Sequence, residues 1–342
     1  MRPALIIFFV VVCGGNPSGL QNYVLFRANP NPPGCDSEKR RGIWPCGRKP
    51  LILFPRSTGR RSAPQPVPPD LRRAGWALKC AERQKPKPME MRIAVCQTDM
   101  EWMNPERNLE RLEPLVAGAG ADLVLLPEMF ATGFVLRAAE AAEPDGGPIA
   151  ATLQRWARRY GCALAGSLAV SENGRFFNRM LFVYPSGECA RYDKRHLFAP
   201  GGEADEYTPG DRRVVVTYRG VRFLLLVCYD LRFPVWSRSR DDYDAILCCA
   251  SWPASRRDVW RTLLRARAIE NQCFVAGANR TGRDPVSLYS GDSVLLDCRG
   301  RALAEAGSDP ATLVSSFDLG AQRLFREKFP AWRDADDFRL LL

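Results

Sequence analysis

From Met91 onward, short and almost wholly apolar runs alternate with longer stretches whose apolar positions recur every three or four residues. The run MRIAVCQ is apolar and partly β-branched, the mark of a buried strand. Asn104 to Ala117 carries Leu109, Leu112, Leu115 and Val116 at helical spacing, and Pro114 argues against a regular last turn. ADLVLLPE reads as a second strand ended by proline. Ile149 to Tyr160 has a helical pattern and CALAGSLAV a strand pattern. RMLFVYPSG and RYDKRHLF read as two strands joined at Pro-Ser-Gly. VRFLLLVCYD and DAILCCASWP are strongly apolar strands. Arg256 to Asn271 is a long Arg-rich helix, CFVAGANR a further strand, and SVLLDCRGRALAEA a hairpin. Nearly continuous apolar strands alternating with helices predict an α/β domain whose sheets are covered on their faces. There is no internal repeat and no run of membrane-spanning length.

Residues 1–90 follow another pattern. They carry 14 of the 27 prolines and end in ERQKPKP. Without periodicity they cannot bury enough apolar surface to offset chain entropy, so a largely disordered extension is expected. The apolar run from Ala4 to Cys13, behind Arg2, is similar to a short signal-peptide core, although Val12 is not the small residue expected before a cleavage site. The preferred alternative is that translation begins at Met89 or Met91, because MRIAVCQTD reads as the opening strand of a domain. The expected division is 1–90 as a basic, proline-rich extension and 91–342 as the folded domain, with a C-terminal tail from about residue 320.

Charge follows the same division. The net charge of +11 lies wholly within residues 1–90, which hold 16 Lys/Arg and 5 Asp/Glu; residues 91–342 hold 33 of each. The domain therefore has no global electrostatic reason to bind nucleic acid. The arginines from Arg256 to Arg267 sit among leucines, Asp258 and Glu270, which favours a packed, ion-paired helix. No Cys-x-x-Cys occurs among the 12 cysteines, and several lie inside apolar strands, as Cys248 and Cys249 do. Free thiols in a reducing, cytoplasmic setting are expected. A single histidine, His196, argues against a His-rich metal centre.

Three strand ends carry unusual residues. Glu128 follows an apolar strand and Pro127, where loops of α/β proteins place their chemistry. Such a carboxylate is also what a solvated residue or a helix cap looks like. Lys194 stands within Tyr-Asp-Lys-Arg-His-Leu-Phe, which also fits a solvated turn. Cys228 ends the strand Leu224–Val227 and precedes a polar turn, a position where a thiol is exposed and the next backbone N–H can face an oxyanion. A buried structural cysteine would have the same pattern. His196 is two residues past Lys194, so on a strand both side chains would face one side. That leaves a Cys–His dyad open, beside a packing role. There is no Gly-x-Ser-x-Gly elbow, P-loop or Gly-x-Gly-x-x-Gly loop.

Taken together and in this order, the three segments resemble the Glu–Lys–Cys motifs of the nitrilase superfamily of carbon–nitrogen hydrolases. The resemblance runs from about Met91 to the C-terminus and includes Ser251 to Gly282. CYDLRFPVW and YDKRHLF are most similar to the ω-amidase branch, which acts on 2-oxo-dicarboxylic monoamides. The resemblance implies a four-layer α-β-β-α sandwich, a homodimer and no cofactor or metal. It implies Cys228 as nucleophile, Glu128 as general base, and Lys194 with the Tyr229 backbone N–H as oxyanion stabilisers. Glu203, in Pro-Gly-Gly-Glu, matches a second glutamate that positions the lysine and the substrate.

Arg232, four residues past Cys228, can reach the pocket wall and hold a carboxylate bidentately, or it can form a salt bridge beneath the site. Phe130, Phe134 and Trp252 are candidates to shape the pocket, although aromatics near strand ends also pack in cores. The expected substrate is α-ketoglutaramate or α-ketosuccinamate, giving the oxo-acid and ammonia. Alternatives are another small amide, an N-carbamoyl compound, a nitrile or a deaminated peptide amide, and, in another class, a non-catalytic binding or membrane-tethered protein. The tail FREKFPAWRDADDFRLL is expected to pack against the domain or a second subunit.

Overall fold

A computed structural model describes residues 90–340. The expected disordered extension, its signal-like run and the proposed internal start at Met89 lie outside the described residues. In chain order the elements of the first half are β1 (Glu90–Gln97), α1 (Pro105–Gly118), β2 (Leu123–Leu125), α2 (Ala138–Ala141), β3 (Glu143–Pro144), α3 (Pro148–Tyr160), β4 (Ala163–Glu172), β5 (Arg175–Val183) and β6 (Cys189–Asp193). The second half has α4 (Glu203–Glu206), β7 (Val215–Tyr218), β8 (Val221–Val227), α5 (Pro234–Ser237), β9 (Ala245–Ala250), α6 (Arg257–Asn271), β10 (Phe274–Asn279), β11 (Thr281–Arg283), β12 (Leu288–Ser290), β13 (Val294–Leu296), β14 (Ala302–Glu305), β15 (Ala311–Asp318) and α7 (Leu319–Lys328).

Two sheets result. One runs β15-β1-β2-β4-β5-β6 with β3 added beside β4, and the other runs β14-β13-β10-β9-β8-β7. Each has a parallel centre, β1-β2-β4 and β8-β9-β10, flanked by antiparallel strands. Period-two alternation explains how the apolar strands serve two cores. Ile93, Val95, Leu123, Leu125, Ala163 and Ala165 share a core with Phe223 and Leu225 of the second sheet. Their neighbours Ala94, Cys96, Val124, Leu126 and Leu164 share another with Leu112 and Val116 of α1 and Leu153 and Trp156 of α3. Between the sheets, Phe182 meets Phe223 and Phe274 stacks on Phe317 at 4.4 Å. On the far side, a Cβ at Gly277 of β10 would lie 2.8 Å from Leu264 of α6. The order of layers is therefore helix, sheet, sheet, helix. Each large side chain buried in these layers contributes about 1.5–3 kcal/mol.

Most local expectations hold. Asn104 caps α1 by accepting from Arg107 N at 3.1 Å, but the helix continues through Pro114 to Gly118. The lost hydrogen bond is tolerated because Leu112 and Val116 are both buried against the first sheet. β15 was not expected: ATLVSSFD has weak alternation, and its register is imposed by eight pairings with β1. The Arg-rich α6 is packed and ion-paired. Arg257 contacts Asp292 at 2.8 Å, and buried Arg267 contacts Glu270 at 2.9 Å. The tail docks on its own domain. Gln322 donates to Asp244 O and Gln272 O, and Arg326 to Tyr243 O and Gln272 O. Among the described residues no helix is long and apolar enough to cross a membrane.

Candidate active site

Three strand ends converge. Glu128 follows β2 after a short Leu126-Pro127 step, Lys194 directly follows β6, and Cys228 directly follows β8. The chain turns sharply at two of them: Met129 has φ +47° and Cys228 φ +46°. A left-handed backbone at a non-glycine residue costs on the order of 1–3 kcal/mol and persists only where neighbours enforce it. Here Met129 N donates to Ser167 Oγ at 3.1 Å, and Val227 N donates to the buried Asp230 Oδ2 at 3.0 Å. The second bond closes the turn that carries the thiol.

The charged cluster is buried and fully bonded. Lys194 Nζ donates to Glu128 Oε1 at 2.9 Å and to Glu203 Oε1 and Oε2 at 3.0 and 2.8 Å. Asn178 Nδ2 donates to Glu128 Oε1 at 2.8 Å and to Glu203 Oε1 at 3.0 Å. Ser251 N donates to Glu128 Oε2 at 2.7 Å, and Phe198 N to Glu203 Oε2 at 2.6 Å. Burial alone would disfavour the Lys194 cation, but Glu128 and Glu203 outweigh it and hold its pKa well above the ordinary lysine range. Burial pushes the Cys228 thiol well above the usual range; Glu128 acts the same way and Lys194 opposes. A resting thiol beside a carboxylate and a fixed cation is suited to losing its proton only as it attacks.

Glu128, Lys194 and Cys228 line one cavity of about 370 Å³. Tyr229, Arg232, Trp252 and Phe134 line it too, and Ser251 forms part of its wall. Arg232 therefore faces the cavity, and among the described residues it forms no salt bridge beneath the site; its guanidinium lies 5.3 Å from the Trp252 ring centroid and 5.9 Å from that of Tyr229. Phe130 is a correction. It is fully buried in the core between the first sheet and its outer helices, where a Cβ on Gly166 of β4 would meet its ring at 3.0 Å. The turn at Met129 sends residue 130 back under the sheet. Glu203 does not touch the cavity and acts on Lys194 from behind.

His196 also differs from the strand reading. β6 ends at Asp193, so His196 does not share a strand face with Lys194. Its ring stacks on Phe233 at 3.8 Å, with Nδ1 2.8 Å from Asp230 Oδ1. That is a packing role beneath the turn that carries Cys228. Asn178, Asp230 and Ser251 were not anticipated as site residues. The signal for the first was a lone amide in the apolar run of β5; Asp230 was hidden in the polar turn after the cysteine.

Comparisons with known proteins identify the family. The carbon–nitrogen hydrolase family pattern matches residues 92–327. The omega-amidase YafV of Escherichia coli (strain K12) is 44% identical over 255 residues, covering 73% of this chain and 98% of that protein. The 2-oxoglutaramate amidase of Bacillus subtilis (strain 168) is 35% identical over 253 residues, covering 72% and 98%. A solved structure of a carbon–nitrogen hydrolase superfamily protein from Xanthomonas campestris superposes with a TM-score of 0.72 at 39% identity, covering 73% of this chain and 99% of that one. With its helix–sheet–sheet–helix layers and its likeness to ω-amidases, the chain belongs to the carbon–nitrogen hydrolase family of the nitrilase superfamily and is an amidase-type hydrolase of the ω-amidase branch.

Proposed function

We propose that this enzyme hydrolyses the terminal amide of a small 2-oxo-dicarboxylic monoamide, α-ketoglutaramate or α-ketosuccinamate, through a Cys228 acyl-enzyme. Glu128 takes the thiol proton as sulfur attacks the amide carbon. The carbonyl π pair moves onto oxygen, where the Lys194 ammonium and the Tyr229 backbone N–H stabilise it. Glu128 returns the proton to nitrogen, the C–N bond breaks and ammonia leaves. Water then attacks the thioester, Glu128 takes its proton, and the oxo-acid departs as the thiol is restored. Glu203 and Asn178 hold Lys194 and Glu128 in place throughout. Arg232 takes the carboxylate at the far end of the substrate.

The observation that carries this reading is that Glu128, Lys194 and Cys228 line the cavity whose wall presents Arg232. The likeness to a 2-oxoglutaramate amidase supports the substrate class. The test is ammonia release from α-ketoglutaramate by the wild type and by Cys228→Ala. Release by the wild type alone is expected. No release by either removes the substrate, and a panel of N-carbamoyl compounds, nitriles and simple amides then identifies the acceptable bond. Release by Cys228→Ala at the wild-type rate removes the nucleophile. The proposal includes a homodimer, which sedimentation of the purified protein tests directly.

A further inference from the structure

Arg232 is not the only cation on the cavity wall. Arg256, which precedes α6, lines the same space, and its guanidinium lies 5.1 Å from the Phe198 ring centroid. Phe198 packs edge-on against Tyr229 with centroids 5.2 Å apart, and the Arg232 guanidinium lies 5.9 Å from the Tyr229 centroid. Each ring of one aromatic pair thus has a guanidinium beside it. Trp252 ties the two arginines from behind, with Nε1 donating to Arg256 O at 2.9 Å while its ring faces Arg232. Both side chains are half-buried.

The other charged groups of the wall are already matched. Arg137 pairs with Glu140 at 2.9 Å, and Glu128 pairs with Lys194. Asp284 accepts from Val286 N, Ser287 N and Tyr289 OH. Among the described residues, neither the Arg232 nor the Arg256 side chain has a carboxylate partner or a hydrogen bond. The cavity therefore holds two cations awaiting acceptors from the substrate.

We propose that Arg256 is a specificity residue that reads the atom next to the substrate carboxylate, admitting a 2-oxo group and rejecting a 2-ammonium group. This rests on the carboxylate-binding reading of Arg232. A 2-oxo acid end presents three acceptor oxygens in one plane: two for the Arg232 fork and one for Arg256. An amino-acid amide of the same length places a cation where that third oxygen would be, and two positive charges in a partly desolvated pocket repel. The site thus separates an oxo-acid amide from its amino-acid counterpart by an attraction and a repulsion at one position.

The test uses three amides of equal length: α-ketoglutaramate, glutaramate and glutamine, which carry oxo, hydrogen and ammonium at the 2-position. The quantity read is kcat/KM for each, within each variant. The wild type is expected to prefer the oxo over the ammonium compound strongly. In Arg256→Leu that ratio should fall by about tenfold or more. In Arg256→Lys, which keeps the charge but loses the fork, discrimination against glutamine should survive while the advantage of α-ketoglutaramate over glutaramate shrinks. An unchanged oxo-to-ammonium ratio in Arg256→Leu, with a wild-type melting temperature, overturns the assignment to Arg256 and leaves the amidase reading standing. If the wild type cleaves none of the three yet cleaves butyramide, the carboxylate reading of Arg232 fails, and this inference fails with it.

Discussion

His196 Nδ1 lies 2.8 Å from Asp230 Oδ1, and the same carboxylate accepts from His196 N at 2.9 Å, Tyr192 OH at 2.7 Å and Val227 N at 3.0 Å. One buried Asp230 side chain thus joins the segment that carries Lys194 to the turn that carries Cys228. Asp230→Ala would leave several buried donors without an acceptor, at roughly 1–3 kcal/mol each. We expect a loss of about 3 kcal/mol or more and a fall of about 6 °C or more in melting temperature. Asp230→Asn should fall between the two. A melting temperature for Asp230→Ala equal to that of the wild type would refute the clamp.

The positive φ of Cys228 separates chemistry from stability. Cys228→Ala and Cys228→Gly should both abolish ammonia release. Glycine adopts that backbone without strain, so Cys228→Gly should be more stable than Cys228→Ala by about 1 kcal/mol. Urea denaturation of the two variants measures the difference; equal midpoints would argue against backbone strain at residue 228.

Burial raises all eight free thiols of the described residues, Cys96 to about 12 and Cys189 to about 11. Below about pH 8.5 folded and unfolded chains both keep these protons. Above it, the unfolded chain releases them more readily than the folded chain does, so stability is lost as pH rises. Lys194, also raised, adds to the loss above the ordinary lysine range. The unfolding free energy from urea titration should fall steadily between pH 8 and pH 10, by up to about 1.4 kcal/mol per pH unit for each thiol in its window, and the midpoint with it. A midpoint that holds constant across that range would contradict the buried thiols.

Phe130 belongs to the core, so its removal should appear as lost stability. Phe130→Ala should cost about 3–5 kcal/mol, read by urea denaturation. A variant with wild-type stability but an altered KM would return Phe130 to the pocket.

Arg326 is buried and donates to three main-chain carbonyls, those of Gln272, Tyr243 and Asn271. Arg326→Leu should destabilise the domain by at least about 2 kcal/mol. Unchanged stability would show that the C-terminal helix is not docked.

Local pattern and strand chemistry determined a good deal of this protein. Continuous apolar strands required covered sheets, because alternate side chains on both faces needed an apolar neighbour. Polar residues at the ends of such strands, Glu128, Lys194 and Cys228, were visible because they interrupt the hydrophobic run that leads to them. What the chain order did not contain was decided by packing. Asn178 bridges Glu128 and Glu203 only because β5 passes beneath both. Phe130 turned inward because a left-handed residue precedes it. β15 takes its register from β1, more than 200 positions away. Arg232 and Arg256 line one wall through contacts between segments, with Phe198, from a third segment, packed against both Arg256 and Tyr229. Each of these depends on contacts between distant segments, and periodicity within a segment carries no information about which segments will meet.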